Sequence, residues 1–166
     1  MTPHLPWYTS VGIDAGVWAI VGLVAGYGVH RIGAARLDHD AWWSRPRGWE
    51  REGRAYRRWL RVDRWQSHLP EAGPVFAGGI DKRQVGGRST RALETYATET
   101  RRGELAHWLC LAATPLFVLW NPPLLFAVMI GYAAVANVPC IVSLRYNRLR
   151  LGRILRRRHR ASARER

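Results

Sequence analysis

Glu104 and His107 stand one helical turn apart in the stretch 99–108, ETRRGELAHW. Together with Thr100 they follow the spacing i, i+4, i+7, which places three polar side chains on one helix face. A carboxylate that accepts from one imidazole nitrogen leaves the other as a proton acceptor. A general base needs that arrangement to activate an alcohol for attack. Glu104-x-x-His107 is also the spacing of a metal-ligand pair in helical bundles, although such sites draw further carboxylates from other helices and only Glu99 is near. A third reading is positional: a histidine at the end of an apolar segment marks the membrane interface. Glu99 and Arg102 lie elsewhere around the helix, where they either pair with each other or anchor a substrate.

A second constellation follows in NVPCIVSLRYNRLRL, 137–151. Asn137 falls at lipid depth, where polar side chains turn toward protein or a cavity. Pro139 frees a backbone carbonyl in the preceding turn, and the two residues are expected to interrupt the helix. Arg145, Tyr146, Asn147 and Arg148 come next, at the level expected for His107. Arginine grips phosphate or carboxylate through two parallel hydrogen bonds, which suits an acyl-CoA or a carrier-bound acyl donor. A stop-transfer flank explains the arginines but needs neither Tyr146 nor Asn147. Lys82, the only lysine, sits in VFAGGIDKRQVGGR, where Gly78 and Gly79 let backbone amides approach a phosphate. A flexible connector has the same composition.

These groups must be positioned by apolar helices. Residues 11–29 carry a single charge, Asp14, and residues 105–144 contain no Lys, Arg, Asp or Glu. A hydrocarbon core needs roughly 20 helical residues per crossing, so the two blocks supply about three spans. Of the 26 basic residues, none lies in 1–30, 16 lie between Arg31 and Arg102, and 10 lie between Arg145 and Arg166. Basic flanks remain cytoplasmic, so the N-terminus is expected outside and the C-terminus inside a cell (inner) membrane. A turn at Trp120-Asn121-Pro122-Pro123 joins the second and third spans. Leu105–Leu119 is short for a full crossing, and a shallow re-entrant hairpin satisfies the same charge pattern. The N-terminus lacks a basic region ahead of its apolar run, so a cleaved signal peptide is not expected.

The formal charge of +14 fits attraction to anionic headgroups better than nucleic-acid binding in a chain with apolar spans. The tail RLRLGRILRRRHR sets Leu149, Leu151, Ile154 and Leu155 among arginines, as lipid-surface segments do. Between Arg31 and Leu69, Trp49, Tyr56, Trp59 and Leu60 fall on one helical face, opposite Arg51, Arg54, Arg57, Arg58 and Arg61. Two readings fit equally: an interfacial helix with indoles at headgroup depth, and a surface helix packed on the bundle. Thr90 to about Leu119 reads as one helix kinked at Pro115. Gly12, Gly16, Gly22 and Gly26 share a face of the first span and permit close helix association, so a homo-oligomer is allowed. Asp14 either reaches the headgroups or turns into the bundle. Cys110 and Cys140 read as packing residues, because thiols in apolar surroundings are inert.

The expected fold is an all-α membrane protein with about three transmembrane helices and an amphipathic interfacial helix on the cytoplasmic side. Residues 1–30 form the N-terminal span. Residues 31–93 form a cytoplasmic Arg/Trp-rich interfacial segment with its Gly-rich loop. Residues 94–148 form a membrane hairpin, and residues 149–166 a basic cytoplasmic tail.

ETRRGELAHW and NVPCIVSLRYNRLRL resemble the two signature regions of the glycosyl-4,4'-diaponeurosporenoate acyltransferase family, small bacterial membrane proteins of staphyloxanthin-type carotenoid synthesis. YRRWLRVDRWQSHLPEAGPVFAGGIDKR is similar to a third block of that family, and all three occur in the expected order between Tyr56 and Leu151. The first span and the tryptophan-rich stretch before Tyr56 lie outside the resemblance. The matched positions are Glu99, Arg102, Glu104, His107 and Trp108, then Asn137, Pro139, Arg145, Tyr146, Asn147 and Arg148. The resemblance implies transfer of a fatty acyl group to a sugar hydroxyl of a glycosylated, membrane-embedded terpenoid. The roles follow from the residue chemistry above. His107 is the base and Glu104 its orienting partner. Arg145 and Arg148 hold the donor or the oxyanion, while Tyr146 and Asn147 position the reacting groups. Glu99, Arg102, Asn137 and Lys82 complete the substrate contacts. No metal and no tightly bound cofactor are expected; the partners are the bilayer, a glycosylated lipid acceptor and an acyl thioester donor, with no nucleic acid. The competing expectations are a non-catalytic scaffold or subunit that binds anionic lipid, and an enzyme modifying a different membrane glycolipid.

Overall fold

The first apolar run folds as α1, Trp7–Arg31. The computed structural model describes residues 6–37, 41–69 and 89–164, and no strand occurs among them. Lys82 and the glycine-rich loop lie outside the described residues. α1 turns Ser10, Asp14, Ala25 and Val29 inward, a stripe at roughly helical spacing. Within the protein no other helix lies against three of its glycines: a Cβ added at Gly12, Gly16 or Gly22 would meet nothing within 4 Å. α2, Ala34–Leu37, follows as a single turn.

Two later helices, Thr90–Ala113 (α5) and Pro123–Arg164 (α6), form an antiparallel hairpin. α5 covers Thr90–Ala113 and is capped by Ser89, whose hydroxyl accepts from the Ala92 amide at 3.2 Å. Pro115 lacks an N–H and removes one bond from the α-helical ladder. The chain converts there to a 3₁₀ helix, Thr114–Leu119, rather than kinking and continuing. α6 runs from Pro123 to Arg164 as one element of 42 residues. Asn137 and Pro139 therefore do not interrupt it, and no break separates the membrane-facing part from the basic tail.

Side-chain contacts set the register of α1 against the hairpin. Arg102 donates to the carbonyls of Val29 and Ile32 at the C-terminal end of α1, both at 3.1 Å. At the other end, Asp14 Oδ1 accepts from Trp120 Nε1 and Asn121 Nδ2, both at 2.8 Å. Asp14 thus faces the bundle interior and ties down the hairpin tip. From Asp14 to Val29 the α1 axis rises about 22 Å at ~1.5 Å per residue.

Apolar side chains cover the outside and polar ones face inward. Ile20, Leu23, Val24, Leu119, Leu124 and Val135 are each more than 60% exposed, whereas Asp14, Asn121 and Asn137 are buried. α1 and α6 are long and apolar enough to cross a membrane, and only 17% of either apolar window is buried within the protein. A core helix of a water-soluble protein would be mostly covered, and water-soluble surfaces rarely expose apolar area on this scale. The distribution is that of a membrane protein.

Residues 41–69 form a cap over one end of the hairpin instead of one amphipathic helix. A 3₁₀ turn, Gly48–Gly53, leads into α3, Arg54–Trp59, then α4, Val62–Trp65, and a last 3₁₀ turn, Gln66–His68. The helix breaks because Arg51, Glu52, Gly53 and Arg61 all take positive φ, from +47° to +88°. Gly53 is required at φ +88°, and a Cβ there would also lie 3.3 Å from Tyr146 Cδ2. The breaks let Tyr56 and Val62 turn onto Tyr146 and Leu149, with Trp65 and Val142 at the margin. Trp49 packs on Tyr56 with ring centroids 5.5 Å apart, while Trp59 stays 68% exposed, so the expected face survives only in part across the breaks.

Candidate functional site

His107 projects from α5 toward α6, where its Nδ1 lies 2.9 Å from Asn137 Oδ1. Asn137 is buried, and its Nδ2 donates to the Ala133 carbonyl one turn back, also at 2.9 Å. With the amide nitrogen committed to a carbonyl, the amide oxygen faces the ring, and Nδ1 must supply the hydrogen. In the neutral ring Nε2 is then the unprotonated nitrogen, which is the tautomer of a general base. His107 is only partly buried, and Trp108 beside it is exposed. Measured along α5, the ring sits about 7.5 Å beyond Arg102 into the apolar segment, at ~1.5 Å per residue.

Glu104 does not orient His107. Its carboxylate is fully buried and accepts from Arg145 Nη1 at 2.8 Å and from Arg148 Nη2 at 3.2 Å. Two guanidiniums attract a buried carboxylate more strongly than a neutral imidazole does. The same placement removes Glu104-x-x-His107 as a metal-ligand pair, because Glu104 faces α6 arginines while His107 faces Asn137.

Arg145 is the hub of this network. Nε donates to Glu50 Oε1 at 2.5 Å, Nη1 also reaches the Trp43 carbonyl at 2.9 Å, and Nη2 reaches the Arg45 carbonyl at 2.8 Å. Arg148 Nη2 donates to the Ser44 carbonyl at 2.5 Å. The two arginines expected to bind a donor therefore fasten the cap to the hairpin. Glu50 completes the network, accepting from the Tyr56 hydroxyl at 2.6 Å and the Arg47 amide at 2.5 Å. Burial alone would raise the Glu50 carboxyl; hydrogen bonds from Arg145, the Arg47 amide and Tyr56 outweigh it and hold the group below its ordinary 4.5. Burial, and then the bond to Glu50, push the Tyr56 phenol up.

The remaining expected contacts divide. Glu99 and Arg102 pair with each other, and Arg102 spends its other donors on the end of α1, so this pair clamps two helices. Tyr146 packs in the cap core with Tyr56 instead of facing His107. Asn147 is partly buried on α6. Cys140 is buried and Cys110 partly buried, and neither forms a disulfide. Glu50 carries no periodic signal in the sequence, where it shares the arginine-rich stretch 45–58 with Glu52, and only its partners reveal it. Asn137, expected among the substrate contacts, meets His107, a partner 30 residues away in sequence.

Residues 40–157 match the profile of the glycosyl-4,4'-diaponeurosporenoate acyltransferases. The match begins before Tyr56 and takes in the tryptophan-rich stretch that the motifs alone had left outside. Over 107 residues the chain is 33% identical to the glycosyl-4,4'-diaponeurosporenoate acyltransferase of Staphylococcus aureus strain USA300, and 32% identical to that of the bovine strain RF122 / ET3-1. The aligned region spans 64% of this chain and 64% of the length of each relative. No solved structure matches the chain. The cap, the buried arginine–glutamate network and the His107–Asn137 pair all fall inside the matched segment, and the chain belongs to the glycosyl-4,4'-diaponeurosporenoate acyltransferase family.

Proposed function

We propose that the protein is a membrane acyltransferase that moves a fatty acyl group from a thioester donor to a sugar hydroxyl of a glycosylated terpenoid lipid. The observation that carries this reading is the His107–Asn137 pair, whose amide is fixed by the Ala133 carbonyl. Family membership supports the reaction class. His107 Nε2 takes the proton of the sugar hydroxyl as its oxygen attacks the thioester carbonyl. The carbon–sulfur bond breaks, an ester forms, and the imidazolium returns the proton to the leaving thiolate. Asn137 positions the ring and does not touch the reacting atoms.

The topology goes with the chemistry. α1 and both arms of the hairpin cross the bilayer, with the N-terminus outside and the cap and basic tail on the cytoplasmic side. Arg102, Glu104, Arg145 and Arg148 then close the bundle at headgroup level, with His107 just beneath. An amphiphilic acceptor keeps its hydrocarbon in lipid against the exposed apolar faces and presents its sugar at that depth. Asn147, partly buried on the same arm as the arginines, is left to contact substrate. The test is acylation of a glycosylated carotenoid acid by purified protein with a radiolabelled acyl thioester. Wild type transfers label, and His107→Ala, folded to the same melting temperature, does not. Full activity in that variant excludes His107 as the base.

A further inference from the structure

A groove of about 620 Å³ opens between the cap and the cytoplasmic ends of α5 and α6, on the far side of the buried network from His107. Its size is that of a small-molecule site. The side chains of Arg47, Arg51, Arg101, Arg148 and Arg156 line it. Two carboxylates share the lining, Glu52 and Glu94, and they meet Arg156 at 2.6 Å and His159 at 3.7 Å. Arg148 is held by Glu104 and Arg156 by Glu52, so the positive excess rests on Arg47, Arg51 and Arg101 against Glu94 and favours a ligand with more than one negative charge. Ala97, Leu149 and Leu155 supply an apolar wall. Arg148 belongs both to this groove and to the network, so the groove floor continues into the bonds around Glu104.

We infer that this groove binds the phosphate-bearing part of the acyl donor, a coenzyme A-type thioester, with its guanidiniums on the phosphates and its apolar wall against the uncharged portion. The inference rests on the transfer reaction proposed above and locates its second substrate. Guanidinium pairs recognise phosphate oxygens bidentately, and a cleft with low-dielectric walls strengthens that attraction. The groove lies at the membrane-distal end of the hairpin, where a water-soluble donor arrives, while the lipid acceptor approaches along the apolar faces. The two substrates thereby reach the site from different phases.

The full chain in phosphatidylcholine nanodiscs is titrated with coenzyme A. Binding is expected to saturate, and Arg47→Glu with Arg51→Glu weakens it roughly tenfold or more, since two charge-assisted contacts become repulsive. The same charge change in the tail, Arg157→Glu with Arg160→Glu, leaves it unchanged, and pantetheine, which carries no phosphate, does not compete. On the unaltered protein, an azido-adenine coenzyme A photolabels residues 47–52 or 94–101. Equal binding in the groove variant, labelling elsewhere, or displacement by phosphatidylglycerol overturns the assignment. The readout does not need acyl transfer. Binding without transfer to any glycolipid leaves the groove standing and removes the proposed reaction; transfer without binding does the reverse.

Discussion

Asn137 Oδ1 meets His107 Nδ1 at 2.9 Å across the α5–α6 interface, and the Ala133 carbonyl fixes which end of the amide faces the ring. The geometry selects one imidazole tautomer without placing a charge beside it. Neither residue can do this alone: the tautomer depends on an amide that is itself held by its own helix.

His107→Ala is expected to lower kcat by roughly 10²–10⁴-fold, the usual contribution of a positioned base. Asn137→Ala lets the ring turn away and lowers kcat by up to about 10²-fold, with little change in KM for the donor. Asn137→Gln restores part of the loss if its longer side chain still reaches Nδ1. Steady-state kinetics with each substrate varied in turn separates kcat from KM, and a pure KM effect in Asn137→Ala would rule out a positioning role.

Removing the Glu104 carboxylate acts on stability before chemistry. Glu104→Ala leaves Arg145 and Arg148 buried with fewer partners, which costs about 3–5 kcal/mol. Thermal unfolding in detergent should show a large fall in melting temperature, with residual activity tracking the folded fraction. A fully stable but inactive variant would return Glu104 to the catalytic group.

Glu50 makes cap docking sensitive to acid. Its folded-state pKa lies below the ordinary 4.5, so the stability it contributes is present above that value and is lost as pH falls through the lower folded value. Below about pH 4.5 the cap should loosen, read as faster proteolysis within 41–69 at fixed temperature. Glu50→Gln should flatten that dependence and be less stable at neutral pH, since an amide accepts from Arg145 and the Arg47 amide more weakly than a carboxylate.

Asp14 anchors the hairpin tip through Trp120 and Asn121. Asp14→Ala orphans one buried donor, Asn121 Nδ2, and one part-buried donor, Trp120 Nε1, at about 1–3 kcal/mol for the buried one. A cysteine placed at Leu119 or Leu124 should then react faster with a membrane-permeant maleimide, because the tip is no longer tied to α1.

Gly53→Ala tests the left-handed turn that breaks the cap. A Cβ at φ +88° meets Tyr146 Cδ2 at 3.3 Å, and the left-handed conformation itself costs about 1–2 kcal/mol for an L-residue. A lowered melting temperature with kcat per folded molecule unchanged is the expected result.

The lengths of the apolar runs marked out two helices long and apolar enough to cross a membrane, of the about three expected, because the hydrogen-bond demands of lipid leave such a run few alternatives to a helix. Pro115 marked where the helix from Thr90 is disturbed, though as an expected kink and not as the change to 3₁₀ that occurs there, and the motif blocks identified the family. Asn137 was legible as a polar group that must face protein. Its partner was not legible, because the α5–α6 register, not helical spacing, brings residues 107 and 137 together. Helical spacing put Glu104 beside His107, and it stopped there: a carboxylate takes the strongest donors it can reach, and Arg145 and Arg148 arrive from another helix. The periodicity of Trp49, Tyr56, Trp59 and Leu60 misled in part, for a related reason. Tyr56 gains more from burial against Tyr146 and a bond to Glu50 than from a continuous apolar stripe, and positive-φ turns at Arg51–Gly53 and Arg61 make that possible. Local pattern thus settled which segments are helical, and competition among partners distant in sequence settled which side chains meet.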